Sequence, residues 1–102
     1  MIRKFTDAET KFQVEGSVGK RLGNANGCEY VHLAIRPGNV IQSHKLDIPV
    51  TFYVISGEGE VMLDEKVHQV ETGDLIDVEP HVNREWKNIG AKKLELLVVK
   101  HI

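Results

Sequence analysis

Glycine turns cut this chain into short extended runs, and no stretch of ten or more residues carries an apolar stripe at helical spacing. The clearest run is Cys28 to Arg36. Val31, Leu33 and Ile35 fall on one face, Tyr30, His32, Ala34 and Arg36 on the other, and Pro37-Gly38 then turns the chain. The most β-prone run follows (Val50, Thr51, Phe52, Tyr53, Val54, Ile55) and reads as a hairpin from about Val50 across Gly57-Glu58-Gly59 to about Leu63. Asp64, Glu65 and Lys66 form a turn before a short strand at Val67 to Val70. Thr72-Gly73-Asp74 leads into Leu75 to Val78, broken by Pro80, and Arg84 to Asn88 and Leu94 to Lys100 read as the closing strands. Upstream, residues 1 to 12 are polar, with a short strand or turn around Ile2 and Phe5. Gln13 to Gly27, which holds Gly16, Gly19, Gly23 and Gly27, reads as turns joined by short extended pieces. Eight or more strands separated by turns at roughly 8 to 12 residue intervals predict an all-β sandwich or barrel.

A chain of 102 residues suits a single domain spanning 1–102, large enough for one core. At 41% hydrophobic and 27% charged its composition is that of an ordinary globular protein. A net charge of −2 gives no electrostatic footprint for nucleic acid or an anionic membrane surface. No apolar run approaches the roughly 20 residues of a membrane-spanning helix. The opening MIRKFTDAET lacks the apolar core of a signal peptide, and the one cysteine, Cys28, excludes an internal disulfide. The expectation is a cytoplasmic protein.

Two stretches share a spacing that points further. Gly38, five residues, His44, one residue, Leu46, three residues, Val50, six residues and Gly57 form the first. Gly73, five residues, Glu79, one residue, His81, two residues, Arg84, three residues and Asn88 form the second, with Pro80 one place late. Together with FYVISGEGEV they resemble the two motifs of the cupin family, G-x5-H-x-H-x3/4-E-x6-G and G-x5-P-x-G-x2-H-x3-N, over about residues 31–99. The resemblance implies a double-stranded β-helix, the cupin jelly-roll barrel.

Cupins typically hold a divalent metal through two His and one Glu of the first motif and one His of the second. Here those positions read His44, Leu46, Val50 and Arg84, so one ligand of the four remains. Leucine and valine have no donor atom, and a guanidinium repels a cation. No cofactor is therefore expected. If a divalent metal does bind, His44 with His32 or His81 would have to hold it, with Asp47 as a further candidate, and this requires His32 to face the barrel interior.

The resemblance also places His44, Leu46, Phe52, Arg84 and Trp86 on inward parity, an apolar cup with one arginine and one histidine. Such a lining suits a small organic ligand, and an arginine fork matches a carboxylate or phosphate. Singly, each residue has an ordinary reading: Arg84 as a solvated strand residue paired with Glu85 or Glu95, Trp86 as core, His44 as a half-exposed polar residue. Cys28 has no base beside it in sequence, Ser43 and His44 point to opposite faces, and GEGEV precedes a strand rather than a phosphate-binding helix. Asp74, Asp77 and Glu79 read as turn and solvent-face carboxylates, and His68 and His101 as strand or terminal residues without partners.

The expected function is binding of a small anionic metabolite, with Arg84 as clamp, His44 as hydrogen-bonding partner, and Phe52, Trp86 and Leu46 as apolar walls. Two alternatives stand beside it. One is a cupin isomerase, decarboxylase or dioxygenase using an atypical metal set around His44, or His44 as a metal-free general base. The other is a structural or interaction module. Unpaired edge strands, with the segment from Ile2 to Val18 foremost, predict a homodimer.

Overall fold

The computed structural model describes residues 1–14 and 16–102. A short 3-10 helix at Phe5–Asp7 is followed by strands β1 (Glu9–Val14), β2 (Ser17–Ala25), β3 (Cys28–Ile35), β4 (Val40–His44), β5 (Val50–Ser56), β6 (Glu58–Leu63), β7 (Lys66–Glu71), β8 (Leu75–Val78), β9 (Arg84–Asn88) and β10 (Leu94–His101). They form a six-stranded sheet, β1-β2-β3-β10-β5-β8, and a four-stranded sheet, β4-β9-β6-β7. Every paired neighbour is antiparallel.

The alternation seen in the sequence decides which faces meet. Glu29, Val31, Leu33 and Ile35 of β3 are buried, as are Leu94, Leu96 and Val98 of β10 and Val50, Phe52 and Val54 of β5. From the other sheet come Val61 of β6 and Arg84, Trp86 and Asn88 of β9. Burying these faces against each other is the main favourable term in folding, at about 25 cal/mol per Å² of apolar surface.

Asn88 ties the sheets at one corner. Its side-chain amide donates to the Ile35 carbonyl at 2.8 Å and the Lys92 carbonyl at 2.9 Å, and its Oδ1 accepts from the Gly90 amide at 2.9 Å. The Gly38 amide donates to the Asn88 carbonyl at 3.0 Å. The glycine that opens the first motif and the asparagine that closes the second thus meet, which gives both a structural reason.

Three sequence expectations change. The run from Val50 to Leu63 is not a hairpin: β5 pairs with β10 and β8, whereas β6 pairs with β7 and β9. Side by side, the two strands would share one sheet, whereas here their apolar faces lie across the core from each other. The crossing is made at Gly57, whose φ is +96° and where an added Cβ would stand 2.8 Å from the Lys93 carbonyl oxygen. The glycine-rich segment is mostly one nine-residue strand, β2. Its Gly19 is not a turn residue but the place where the Phe12 ring lies, 2.3 Å from where a Cβ would be. Finally, β4 ends at His44, so Leu46, expected to share the inward strand parity of His44, belongs to the following loop.

Candidate functional site

Arg84 opens β9 on the inward face, opposite His44 of β4 and Leu63 of β6. It is only 2% exposed, and its guanidinium carbon lies 5.8 Å from the centroid of the Phe52 ring. Phe52 in turn packs against Trp86 at 5.2 Å between centroids. Arg84 Nε and Nη1 are buried without a hydrogen-bond partner among the described residues. Burial pulls the guanidinium pKa below its ordinary value. The solvated reading of Arg84, paired with Glu85 or Glu95, is therefore replaced: its strand parity turns it inward, and Glu95 is engaged elsewhere.

The residues named for the cup come together around Arg84 in part. Phe52 and Trp86 are buried with it, and Leu46 packs against the core. His44 lies across from Arg84 but is exposed at the rim, its Nδ1 3.3 Å from the Gln42 carbonyl oxygen. The carboxylates nearest in sequence leave Arg84 alone. Asp77 accepts from the Thr51 hydroxyl at 2.8 Å on the outer face, and Asp47 and Glu79 are exposed.

A polar cluster that the sequence reading did not single out lies on the facing sheet. Glu29 and Lys100 are cross-strand partners, both on inward parity. The Glu29 carboxylate is held by the Lys11 ammonium, by Arg21 Nε at 3.0 Å and by Lys100 Nζ at 3.8 Å. The Arg21 contact is an ion pair without hydrogen-bond alignment. The Lys11 hydrogen bond, followed by the charges of Lys11, Lys100 and Arg21, holds the Glu29 carboxyl below its ordinary pKa against the opposing effect of burial. Lys100 is lowered, first by burial and then by Lys11, with a further contribution from the charge of Arg84. Three cations thus share one carboxylate at this end of the barrel, with the charge of Arg84 felt at Lys100. Strict alternation was the signal: Glu29 keeps the parity of Val31, and Lys100 that of Val98.

The fallback metal set does not converge. His32 faces outward on β3, edge-on to Phe5 at 4.9 Å, with its Nε2 3.1 Å from Glu95 Oε1. The interior position that a metal-binding role would require of it is ruled out by the same alternation, which buries Val31 and Leu33 on either side. His81 is exposed at φ 69°, its amide donating to the Leu46 carbonyl at 2.7 Å. Among the described residues no three His, Cys, Asp or Glu side chains are grouped to hold a metal ion. With Leu46, a fully buried Val50 and a buried guanidinium at the motif's ligand positions, the donor set does not fit a divalent cation.

Elsewhere, His101 does have partners. Its Nδ1 is 3.6 Å from Cys28 Sγ, its register neighbour on β3, and its Nε2 is 3.1 Å from Thr51 Oγ1. The cysteine's base is thus remote in sequence and adjacent in space. A groove of about 790 Å³ also runs over the outer face of the six-stranded sheet, lined by residues including Phe5, Lys20, His32, Arg36 and Glu95, and not by Arg84. Two of its titratable groups are partnered, because Glu95 accepts from Ser56 at 2.9 Å and pairs with His32. Arg84, by contrast, has two buried guanidinium nitrogens without a hydrogen-bond partner among the described residues, which makes the barrel end rather than the groove the candidate site. Among the described residues no helix is long and apolar enough to cross a membrane.

Comparison with known proteins agrees with this architecture. A family model described as Cupin domain matches residues 31–100. No curated protein matches the sequence. Among solved structures, an RmlC-like cupin family protein with a double-stranded β-helix fold from Methanocaldococcus jannaschii is 26% identical, with a TM-score of 0.78 over 99% of this chain and 92% of that one. KdgF from a Halomonas species is 16% identical, with a TM-score of 0.86 over 100% and 94%. A predicted oxalate decarboxylase from Thermotoga maritima is 19% identical, with a TM-score of 0.85 over 100% and 99%. The two sheets are accordingly those of a double-stranded β-helix.

Proposed function

The chain belongs to the cupin family, and from that footing we propose that it binds a small anionic metabolite at the barrel end where Arg84 is buried. The observation that carries this reading is a guanidinium 2% exposed, with two of its nitrogens unpaired among the described residues. A buried polar group without a partner is uncommon and costly, and for a charge the cost is higher. A carboxylate or phosphate compensates that charge with hydrogen bonds of the strong, charge-assisted kind. Phe52 and Trp86 supply apolar walls, and His44 at the rim supplies a further polar contact. Neighbouring folds include a predicted oxalate decarboxylase. The donor set at the motif positions, however, favours binding through cations over chemistry on a metal.

Inorganic phosphate and short carboxylates such as acetate and butyrate test the reading. At millimolar concentration at least one should raise the melting temperature of the wild type in proportion to its affinity. Arg84→Leu should abolish the rise. Equal shifts in the two proteins would refute the reading.

The protein is also proposed to pair as a homodimer. Strand β1 is an unpaired edge of the six-stranded sheet, and Tyr53, Ile55 and Leu75 lie exposed on that sheet. Light scattering at micromolar concentration should return twice the 11.5 kDa chain mass. A monomer mass would exclude pairing.

A further inference from the structure

We propose that the ligand is a small dianion, with one anionic group on Arg84 and the other on Lys100. This deepens the anion-binding reading and rests on it.

The register brings the two cations to the same end of the barrel. Arg84 lies over Phe52, and Phe52 is the β5 partner of Val98. Lys100 is the next residue of β10 on the same face, with Val50 across from it. Successive same-face residues on a strand stand about 7 Å apart, so two cations so placed suit two anionic groups joined by a short carbon chain. The apolar side chains between them, Phe52 and Val50, are buried and match such a linker. The charge of Arg84 is also felt at Lys100, as the lowered lysine pKa records after the larger effect of burial.

Lys100 already has an anionic neighbour, but only a share of it. Glu29 is held by Lys11 and, at 3.0 Å, by Arg21, whereas Lys100 stands 3.8 Å away. One carboxylate serves three cations, and the contact to Lys100 is longer than a hydrogen bond. A monoanion on Arg84 leaves that arrangement unchanged. A dianion reaches both under-served cations at once and brings the local charge closest to neutrality. The ligand class is therefore a small dicarboxylate or a phosphorylated short-chain acid, two forms of the same two-headed anion.

Butyrate and succinate have the same number of carbons and differ in the second carboxylate, so titration calorimetry at low ionic strength isolates it. For the wild type, succinate should bind at least about tenfold more tightly than butyrate, because a second charge-assisted contact forms. Lys100→Met should remove that excess, bringing succinate down to the affinity of butyrate in the same variant, and Lys100→Arg should keep it. Arg84→Leu and Arg84→Met should both lose both ligands. Phosphoglycolate in place of succinate separates the two members of the class: tighter binding selects the phosphorylated acid, weaker binding the dicarboxylate. Equal affinity for butyrate and succinate in the wild type, with both lost in the Arg84 variants, overturns the dianion and leaves the anion reading standing. An excess that survives in Lys100→Met overturns the role of Lys100. Failure of the wild type to bind any of these acids overturns the anion reading itself.

Discussion

Glu29→Gln is expected to destabilise the protein by about 2 kcal/mol, a fall in melting temperature of roughly 10 °C for a domain of this size. The side chain of Glu29 is 9% exposed and, among the described residues, carries the only carboxylate in contact with Lys11, Arg21 and Lys100. Removing the anion leaves three cations facing one another, with Arg84 within electrostatic reach of Lys100. Breaking a fully buried pair costs about 3 to 5 kcal/mol. The smaller figure applies because the side chains of Lys11 and Arg21 are 30% and 40% exposed and water screens part of their repulsion. Glutamine keeps the size and one acceptor oxygen, so the loss reads charge rather than packing. Thermal or urea unfolding of the two proteins at neutral pH measures it, and a change below about 0.5 kcal/mol would mean that the cluster behaves as an ordinary surface network.

The same pair of proteins yields a pH dependence of defined sign. The folded-state pKa of Glu29 is depressed, so its contribution is fully present above the unfolded value of about 4.5 and is lost as pH falls through the lower folded value. The gap between wild type and Glu29→Gln should therefore be constant at neutral pH, shrink as pH falls below about 4.5, and close below the lower folded value, where the wild-type carboxylate becomes neutral too. Glu95 is also depressed: burial acts to raise it, but the Ser56 hydrogen bond and the charges of Lys93 and His32 outweigh that. Both proteins consequently lose stability in acid, and it is the difference between them that reports Glu29.

The residues of this cluster show where the sequence was legible and where it was not. Period-2 alternation placed Val31, Leu33 and Ile35 inward and set the strands β8, β9 and β10 nearly as found, because a strand with one buried face has little freedom of register. Spacing between glycines and Asn88 was legible because those residues make the corner where the sheets join. Pairing partners were not. Whether β5 turns back on β6 or crosses to the opposite sheet depends on contacts with β10 and β9, which lie more than 20 residues downstream. The inward parity of Arg84, Trp86 and Phe52 was read from the motif spacing, and the structure brings the three together. Glu29 and Lys100 share a parity with apolar neighbours and were passed over because charged residues in strands are usually solvated. The inward position that a His32 ligand would require is closed for the complementary reason: one residue of offset moves a side chain to the opposite face. Likewise the Cys28–His101 contact joins positions 73 residues apart, set only by the pairing of β3 with β10.

Arg84→Leu is expected to make the unliganded protein more stable, by about 2 kcal/mol and roughly 10 °C. Most substitutions at a position 2% exposed are destabilising, so a gain here is diagnostic. The guanidinium sits over the Phe52 ring at 5.8 Å, a cation–π contact that recovers only part of the desolvation cost, on the order of 1 to 2 kcal/mol. No salt bridge or hydrogen bond engages its Nε or Nη1 among the described residues. Replacing buried ions by apolar side chains of similar volume is often neutral or stabilising by about 1 to 4 kcal/mol, and the neighbours here, Phe52, Trp86 and Leu63, present an apolar wall. Arg84→Met matches the length of the removed side chain better and should gain at least as much as leucine, since it leaves a smaller void. The gain should also depend on ligand. Saturating the wild type with a bound anion stabilises it by RT ln(1 + [L]/Kd), so the ranking of wild type and Arg84→Leu narrows or reverses as anion is added, whereas the variant's own melting temperature stays fixed. A loss of stability in both Arg84→Leu and Arg84→Met without ligand would mean that the guanidinium already has its compensation within the fold, and no anion would then be needed to supply it.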